Sequence, residues 1–333
     1  LERKISLAHG SGGKLARDLI EEVLLPRLHN ETLERLADAA DLHLNGSRVL
    51  FTTDSFVVKP IEFPGGDIGK LAVCGTINDL AVSGGRPLWI SCGLIIEEGF
   101  SLECLERIVE SLARAAADGG VSVVCGDTKV VERGGADGLF INTAGIGIPI
   151  DDFTPGNIQP GDKVLVSGTI GDHEAAVFRA REDLGRKMDL DSDCAPLGGL
   201  VATMIPAAPS IRVMRDPTRG GLGAVLNELI ERTGRSISIE EDAIPIKREV
   251  LGICDLVGFD PLYLASEGRL VCIAPAGEAQ TLLAAMRAHP LGADAALIGE
   301  VTADPHERVY LRTPFGGSRI VSMPTGVQLP RIC

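Results

Sequence analysis

Arg48-Val-Leu-Phe-Thr-Thr-Asp-Ser-Phe-Val-Val58 decides the fold class when it is read with the two segments that follow it. It is rich in β-branched and aromatic residues and reads as a strand. Ile68 to Ser83 then has helical spacing and is closed by Gly84-Gly85 and Pro87. Leu88 to Ile96 reads as a second strand. Leu102 to Asp118 is an amphipathic helix with Leu102, Leu105, Ile108, Val109 and Leu112 on one stripe. Ser101 is placed to cap it, and Gly119-Gly120 ends it. Val121 to Val131 and Leu139 to Pro149 give two more strands. The order β-α-β-α-β-β predicts a sheet covered by helices within about 150 residues.

Beyond this unit, Pro149 to Asp162 concentrates three prolines, two glycines and three aspartates, the composition of a domain junction. A second α/β unit is expected after it. Its strands are predicted at Lys163–Ser167, Ile211–Met214, Ser236–Ile239, Arg269–Ala274 and Ala295–Val301. Helices are predicted at His173–Leu184, Gly221–Arg232, Lys247–Cys254 and Ala276–His289. The expected division is 1–155, 156–322 and a mobile tail, 323–333. With two prolines and a glycine, Met323 to Cys333 can be neither helix nor central strand. Extended, it would reach roughly 35 Å.

The 333 residues, 45% of them hydrophobic, suffice for two cores. A net charge of −14 argues against nucleic acid or an anionic membrane as the main partner, although metal ions can still bring phosphate to an acidic site. No apolar run reaches the roughly 18 residues of a spanning helix, and Leu1 to Gly10 shows no signal-peptide pattern. Because the chain starts at Leu1, a residue or two is expected to precede it. Eight cysteines, none in C-x-x-C, lie mostly in apolar runs such as Val123-Val124-Cys125. They read as reduced, buried thiols of a cytoplasmic protein. Cys333, the last residue, breaks the pattern.

Familiar catalytic signatures are absent. Gly13-Lys14 and Gly69-Lys70 are each followed by Leu, so there is no Walker A loop. Gly145-Ile-Gly147 lacks the third glycine of a dinucleotide fingerprint. No G-x-S-x-G or H-E-x-x-H occurs, and the six histidines are scattered. What remains is acidic. Asp54 follows Val-Leu-Phe-Thr-Thr, Asp79 stands beside Asn78 in an apolar helix, and Asp127 precedes Thr128 and Lys129. Each alone reads most simply as a turn or capping residue. Three carboxylates in apolar settings are costly unless they are paired or bind cations, and as a set they suit Mg²⁺ against phosphates. His9-Gly-Ser-Gly-Gly-Lys14 can cradle oxygens with its backbone, with Lys14 as a point charge. Asp216 to Gly223 leads into a helix N-terminus that would attract an anion. Phe63-Pro-Gly-Gly-Asp67 is a turn with Asp67 as helix cap.

These segments carry a resemblance. His9 to Gly13, Thr53-Asp-Ser55, Phe63 to Gly66, Asn78 to Gly84, Gly126-Asp-Thr-Lys-Val-Val131, Asp216-x-Thr-Arg-Gly-Gly221, Glu267-Gly268 and Pro330-Arg-Ile-Cys333 resemble, in order, the HypE family. These are nickel–iron hydrogenase maturation factors of the aminoimidazole ribonucleotide synthetase-like, ATP-using superfamily. The resemblance implies two α/β domains, each a mixed sheet packed against helices, with a flexible C-terminal tail. It implies ATP-dependent dehydration of a carbamoyl group carried on Cys333. The carbamoyl group would be loaded by the carbamoyltransferase HypF, and the resulting cyano group passed to iron on a HypC–HypD complex. It assigns Asp54, Asp79 and Asp127 to Mg²⁺, and Gly12, Gly13, Lys14, Asn78 and Thr128 with them to ATP. Lys129 and Glu267 would flank the thiocarbamate, with Glu267 as base. A homodimer joined through the N-terminal sheets is implied as well. A selenophosphate synthetase would need a cysteine near its N-terminus, whereas the first here is Cys74. A small-molecule kinase would have no use for Cys333. A non-catalytic scaffold remains as a contrasting class.

Overall fold

The computed structural model describes residues 4–10, 12–28, 30–151, 153–182, 189–326, 329 and 331–333. Leu1 to Arg3, Ser11 of the first glycine motif, Asp152 of the junction, the last two residues of the helix expected to end at Leu184, and Pro330 lie outside the described residues.

An irregular N-terminal helix comes first: α1 (Lys14–Leu19), a π-helical turn (Ile20–Leu24) and α2 (Leu25–Leu28). The first domain then runs β1 (Ala40–Leu44), β2 (Ser47–Phe56), a small hairpin β3 (Glu62–Phe63) and β4 (Gly66–Asp67), α3 (Ile68–Val82), β5 (Gly85–Glu97), α4 (Leu102–Asp118), β6 (Ser122–Val131) and β7 (Leu139–Pro149). The sheet order is β1-β2-β7-β5-β6, with β5 and β6 parallel and the other pairs antiparallel. Helix α4 is capped by Ser101, whose hydroxyl accepts from Cys104 N at 3.2 Å. Helix α3 is capped by Asp67, which accepts from Gly69 N and Lys70 N. α3 is apolar around its circumference because the sheet and α4 cover one side while α6 of the second domain covers another. β7 passes so close to α3 that only glycine fits at 145. A Cβ there would lie 2.6 Å from Thr76 Cγ2 and 2.9 Å from Leu80 Cδ1.

The second domain contains β8 (Lys163–Val166), α5 (Asp172–Glu182), α6 (Gly198–Ala207), β9 (Val213–Arg215), α7 (Gly221–Ile230), β10 (Ser236–Glu240), α8 (Arg248–Val257), β11 (Val271–Ala274), α9 (Ala279–Ala288), β12 (Ala296–Thr302), β13 (Val309–Arg312) and β14 (Ser318–Val321). Its seven-stranded sheet runs β14-β13-β10-β12-β8-β11-β9 and is also mixed, since only β10 and β13 are parallel. The central strands β8 and β11 are almost wholly buried, and their sequences accordingly read as continuous apolar runs.

Two features differ from the sequence reading. β1, β13, β14, α6 and the N-terminal helix are additional. β1 (Ala-Asp-Leu-His-Leu) and β14 (Ser-Arg-Ile-Val) are edge strands with little apolar alternation, and α6 holds Gly198-Gly199 and Pro206. Val123-Val124-Cys125 is not a buried run. β6 is an edge strand whose Val124 and Val130 are 57% and 68% exposed, and Cys125 is exposed with them. The end of the tail is docked in the interior, with Leu329 and Ile332 both buried.

Gly145→Val should lower stability by about 2–3 kcal/mol, because α3 must move off β7 to admit the side chain. Urea denaturation measures this as a shift in midpoint at unchanged slope.

Candidate active site

The site is built on how the tail returns. Beyond the end of β2, Val57 N donates to Cys333 O (3.1 Å) and Lys59 N to Arg331 O (3.0 Å), so the last residues add themselves to this strand edge. Arg181 donates to Arg331 O at 2.9 Å and also to Lys59 O, while Arg331 forms an ion pair with Asp137. Between these bonds, His173 Nε2 donates to Ile332 O at 2.7 Å, and Nδ1 meets Ser192 Oγ at 2.8 Å. Burial pushes His173 down to about 4. The imidazole is therefore neutral, with its proton on Nε2 to serve the tail and Nδ1 accepting from Ser192.

This docking places Cys333 where two cavities meet. One, of about 250 Å³, is polar and acidic, and includes Asp38, Asp54, Asp79, Asp216 and Glu267. The other, of about 200 Å³, includes Glu174, Tyr263 and Ile332. Cys333 and Arg219 line both. Asp54 comes from β2 and Asp79 from α3, whereas Asp216, Arg219 and Glu267 come from loops of the second domain. The acidic cavity is thus an interdomain site.

Its carboxyls crowd one another. Burial, then the charges of Asp216, Asp38 and Asp54, push Asp79 well above the usual carboxylate range. Burial and Asp38 push Asp216 up to about 8. Asp54 is raised by burial, against the pull of Arg219. Asp38 is also raised by burial but forms an ion pair with Arg215. Thr52 Oγ1 stands 2.8 Å from both Asp38 O and Asp79 Oδ2. A hydroxyl has one proton, so when Thr52 gives it to Asp38 O, the second contact requires a proton on Asp79. Glu267 is raised well above its ordinary value by burial, with Asp216 and Asp54 adding to the effect, and its buried Oε1 has no hydrogen-bond partner. Burial, and next Glu267, push the Cys333 thiol far up, so the docked sulfur is protonated.

An all-oxygen set of repelling carboxyls is the donor chemistry of a hard divalent cation. Among the described residues no three His, Cys, Asp or Glu side chains form a ready cage. Mg²⁺ does not need one: it keeps waters and takes one or two carboxylates together with phosphate oxygens. Asp54, Asp79 and Asp216 fit that use.

The other expected residues are distributed as follows. Gly12 lines the acidic cavity at φ +74°, and a Cβ there would come within 2.6 Å of Arg219 O. A Cβ on Gly13 would strike Pro324 O. Lys14 is exposed, and its N–H donates to Pro324 O at 2.9 Å. Asn78 does not face the cavity. Its amide donates to Ala195 O (3.2 Å) and Glu267 O (2.9 Å) and accepts from Leu197 N (2.8 Å), clasping the second domain. Asp127, Thr128 and Lys129 lie on edge strand β6, which is separated from β2 by β5 and β7. Asp127 and Lys129 are each 68% exposed and pair with one another at 3.1 Å. A single protomer therefore brings neither Asp127 to Asp54 and Asp79 nor Lys129 to Glu267, because the face they share is the uncovered face of the sheet. The cation beside Glu267 and Cys333 is Arg219. The sequence reading assigned no role to Asp38, Arg219 or Glu174. For Arg219 the signal was present in Asp216-x-Thr-Arg-Gly-Gly221.

The AIR synthase related protein N-terminal domain matches residues 36–149, and the corresponding C-terminal domain matches residues 159–312. Carbamoyl dehydratase HypE of Rhodobacter capsulatus is 52% identical over 100% of this chain and 99% of its own. The chain belongs to the HypE family. HypE of Escherichia coli K12 is 46% identical over 99% of both chains. A crystal structure of the hydrogenase maturation protein HypE in complex with ATP superposes with a TM-score of 0.83 at 44% identity, covering 99% of this chain and 100% of that one. HypE from a HypE–HypF complex gives 0.86 at 47% identity, over 92% and 99% of the two chains. Like its HypE relatives, the chain is an enzyme, a carbamoyl dehydratase of hydrogenase maturation.

Two outcomes are expected. Asn78→Ala removes the partner of three main-chain groups, two of them buried, and should cost about 3 kcal/mol, read as a fall in thermal midpoint. Between pH 6.5 and 8 the unfolded carboxyls are already ionised, whereas Asp216, raised to about 8 by burial and by Asp38, still holds its proton in the folded state. The folded state binds more protons, so stability must fall as pH rises through this window. His173 titrates below it and does not oppose the trend. Calorimetry at several pH values should show this decline, reduced by millimolar Mg²⁺.

Proposed function

We propose that the chain uses ATP to dehydrate a carbamoyl group held as a thiocarbamate on Cys333, leaving an S-cyano group destined for the iron of a nickel–iron hydrogenase. The observation that carries this is the docked terminal sulfur, which lines a buried acidic cavity together with Arg219 and with Glu267, whose Oε1 has no hydrogen-bond partner.

The carbamoyl oxygen is a poor leaving group as hydroxide. Receiving a phosphoryl group converts it into phosphate, which leaves readily. Glu267, kept dry and short of hydrogen bonds, is placed to take a proton from the thiocarbamate nitrogen. Arg219 supplies a fixed positive charge where negative charge develops on the transferred oxygen. Asp54, Asp79 and Asp216 would hold Mg²⁺, which neutralises phosphate charge. The backbone of Gly12 and Gly13, with Lys14, would lie along the nucleotide. Asn78 acts indirectly, by fixing the peptide of Glu267.

Loading belongs to a different tail position. A thiol kept protonated by burial is a poor nucleophile, whereas a terminal thiol in water ionises near 8.5. The docked arrangement therefore suits the sulfur once it is carbamoylated. In our reading the tail swings out to a HypF-type carbamoyltransferase, a reading supported by the relative's HypE–HypF complex. It then returns to the cavity and afterwards presents the cyano group to a HypC–HypD acceptor. We also propose a homodimer covering the apolar face that carries Trp89, Phe51 and Ile95, with the side chains of β6. It is the setting in which Asp127, Thr128 and Lys129 would serve a nucleotide site. Eight free cysteines favour the reducing cytoplasm, and no described helix is long and apolar enough to cross a membrane.

With a carbamoyl donor system, the C-terminal peptide should gain about 43 Da and then lose about 18 Da when ATP is added, as mass spectrometry reads directly. Cys333→Ala should fold normally and show neither change; cyanide-bearing hydrogenase from cells holding only that variant would refute the assignment. Asp79→Asn should lower ATP hydrolysis on the order of a hundredfold while raising thermal stability near pH 8, because it removes a repelling carboxyl.

A further inference from the structure

We propose that Glu174 is a second proton acceptor of the dehydration, acting on the far side of Cys333 from Glu267. This rests on the reading given above and concerns a residue that reading leaves idle.

The stoichiometry demands such a group. Converting S–CO–NH₂ to S–C≡N takes one oxygen and two nitrogen-bound protons. A carboxylate accepts one proton, so Glu267 accounts for the first only. Glu174 lies in the first turn of α5 and is 2% exposed. Glu174 Oε2 accepts from Ala265 N at 2.8 Å, and Glu174 N donates to Ala265 O at 3.2 Å. Both bonds hold it against the segment that carries Glu267 two residues later. It lines the smaller cavity together with Cys333, and its charge is one of those opposing ionisation of that thiol. The two glutamates thus stand in different cavities that meet at the sulfur.

Burial pushes Glu174 up to about 7, against the pull of Arg181 on the same helix. The other titratable or charged groups facing it are Cys254 of α8 and, around the cavity, Arg219, Tyr263, Arg331 and Cys333. A carboxyl so placed exchanges protons near neutrality, which is the property a relay base needs.

The steps balance. In the first, the carbamoyl oxygen bonds to the terminal phosphorus of the nucleoside triphosphate and the bond to the diphosphate breaks. One nitrogen proton passes to Glu267, and its electron pair becomes the C=N bond. In the second, the remaining nitrogen proton passes to Glu174 and that electron pair becomes the third C–N bond. The C–O bond breaks, and its electrons leave with phosphate. Nothing is oxidised or reduced.

The test uses the full chain with Cys333 carbamoylated by cyanate, which adds HNCO across S–H, followed by a single turnover with ATP and Mg²⁺ between pH 6 and 8.5. Wild type should form ADP and lose 18 Da from its C-terminal peptide, at a rate rising with pH through about 7. Glu174→Gln, which preserves the bond from Ala265 N, should still form ADP but lose water at least about a hundredfold more slowly, without that pH rise. Glu174→Asp should restore a pH-dependent rate with its midpoint displaced. Water loss by Glu174→Gln at the wild-type rate with an unchanged pH profile would overturn the proposal. So would an equal fall in ADP formation and water loss in that variant. Wild type that keeps its added carbamoyl group after ATP would instead bring down the wider reading, and Glu174's role with it.

Discussion

Everything at the site depends on the few hydrogen bonds that hold the last residues against the end of β2. Val57 and Lys59 supply main-chain donors, and His173 and Arg181 supply side-chain donors, all to carbonyls of residues 331–333. Each such bond contributes about 1 kcal/mol net, while ordering each tail residue costs about 1–2 kcal/mol. Burial of Leu329 and Ile332 adds to the favourable side. Arg331 sits at φ +62°, a left-handed conformation costing about 1 kcal/mol for a non-glycine residue. These contributions are of the same order, so the docked tail lacks the wide margin of a packed core, which is what the carrier role proposed above requires.

What docking provides is dryness. The same desolvation keeps the thiol protonated, leaves Glu267 Oε1 unpartnered and raises the aspartates. Such groups are costly in an empty site and useful in an occupied one, because a cation and phosphate oxygens would supply the charges and lone pairs they lack. Other buried acids have at least one partner: Asp162 pairs with Arg212 and accepts from Gln159 N, and Asp172 pairs with Lys247, although Asp172 Oδ1 and Asp193 Oδ2 are unpartnered as Glu267 Oε1 is.

Much of this was legible in the sequence, for identifiable reasons. Asp54 and Asp79 stood out because carboxylates are improbable in an apolar strand and helix, and the structure gathers both. The Asp127–Lys129 spacing correctly implied a shared strand face, but sequence does not say whether a face is covered, and this one is open. Asn78 was visible as a polar residue in a buried helix, yet its partners, Ala195, Leu197 and Glu267, are more than a hundred residues away. Glu174 gave no signal, since an acid in a helix's first turn is ordinary and only the return of the tail beside it makes it notable. The strands and helices with strong periodicity were found within a few residues. Short edge strands and α6, with its glycines and proline, carry no such pattern.

The adjacency of Asn78 and Asp79 explains why the site spans two domains. Successive residues on an α-helix point about 100° apart. At the interdomain boundary, that rotation lets one residue look into the second domain while the next looks along the cleft towards β2. Asn78 uses its whole amide to fix the peptides of residues 195, 197 and 267, and Asp79 joins Asp54 and Thr52. A single buried helix thereby places Asp79 in the acidic cluster and, through the Glu267 carbonyl, holds the segment that carries the proposed base. The spacing of Asp79 from the Glu267 peptide is therefore set by α3, whereas the sulfur is placed by the bonds that hold the tail. The dehydration proposed above would draw on that rigidity, because phosphoryl transfer and proton removal on different sides of one group need partners whose spacing the fold holds fixed.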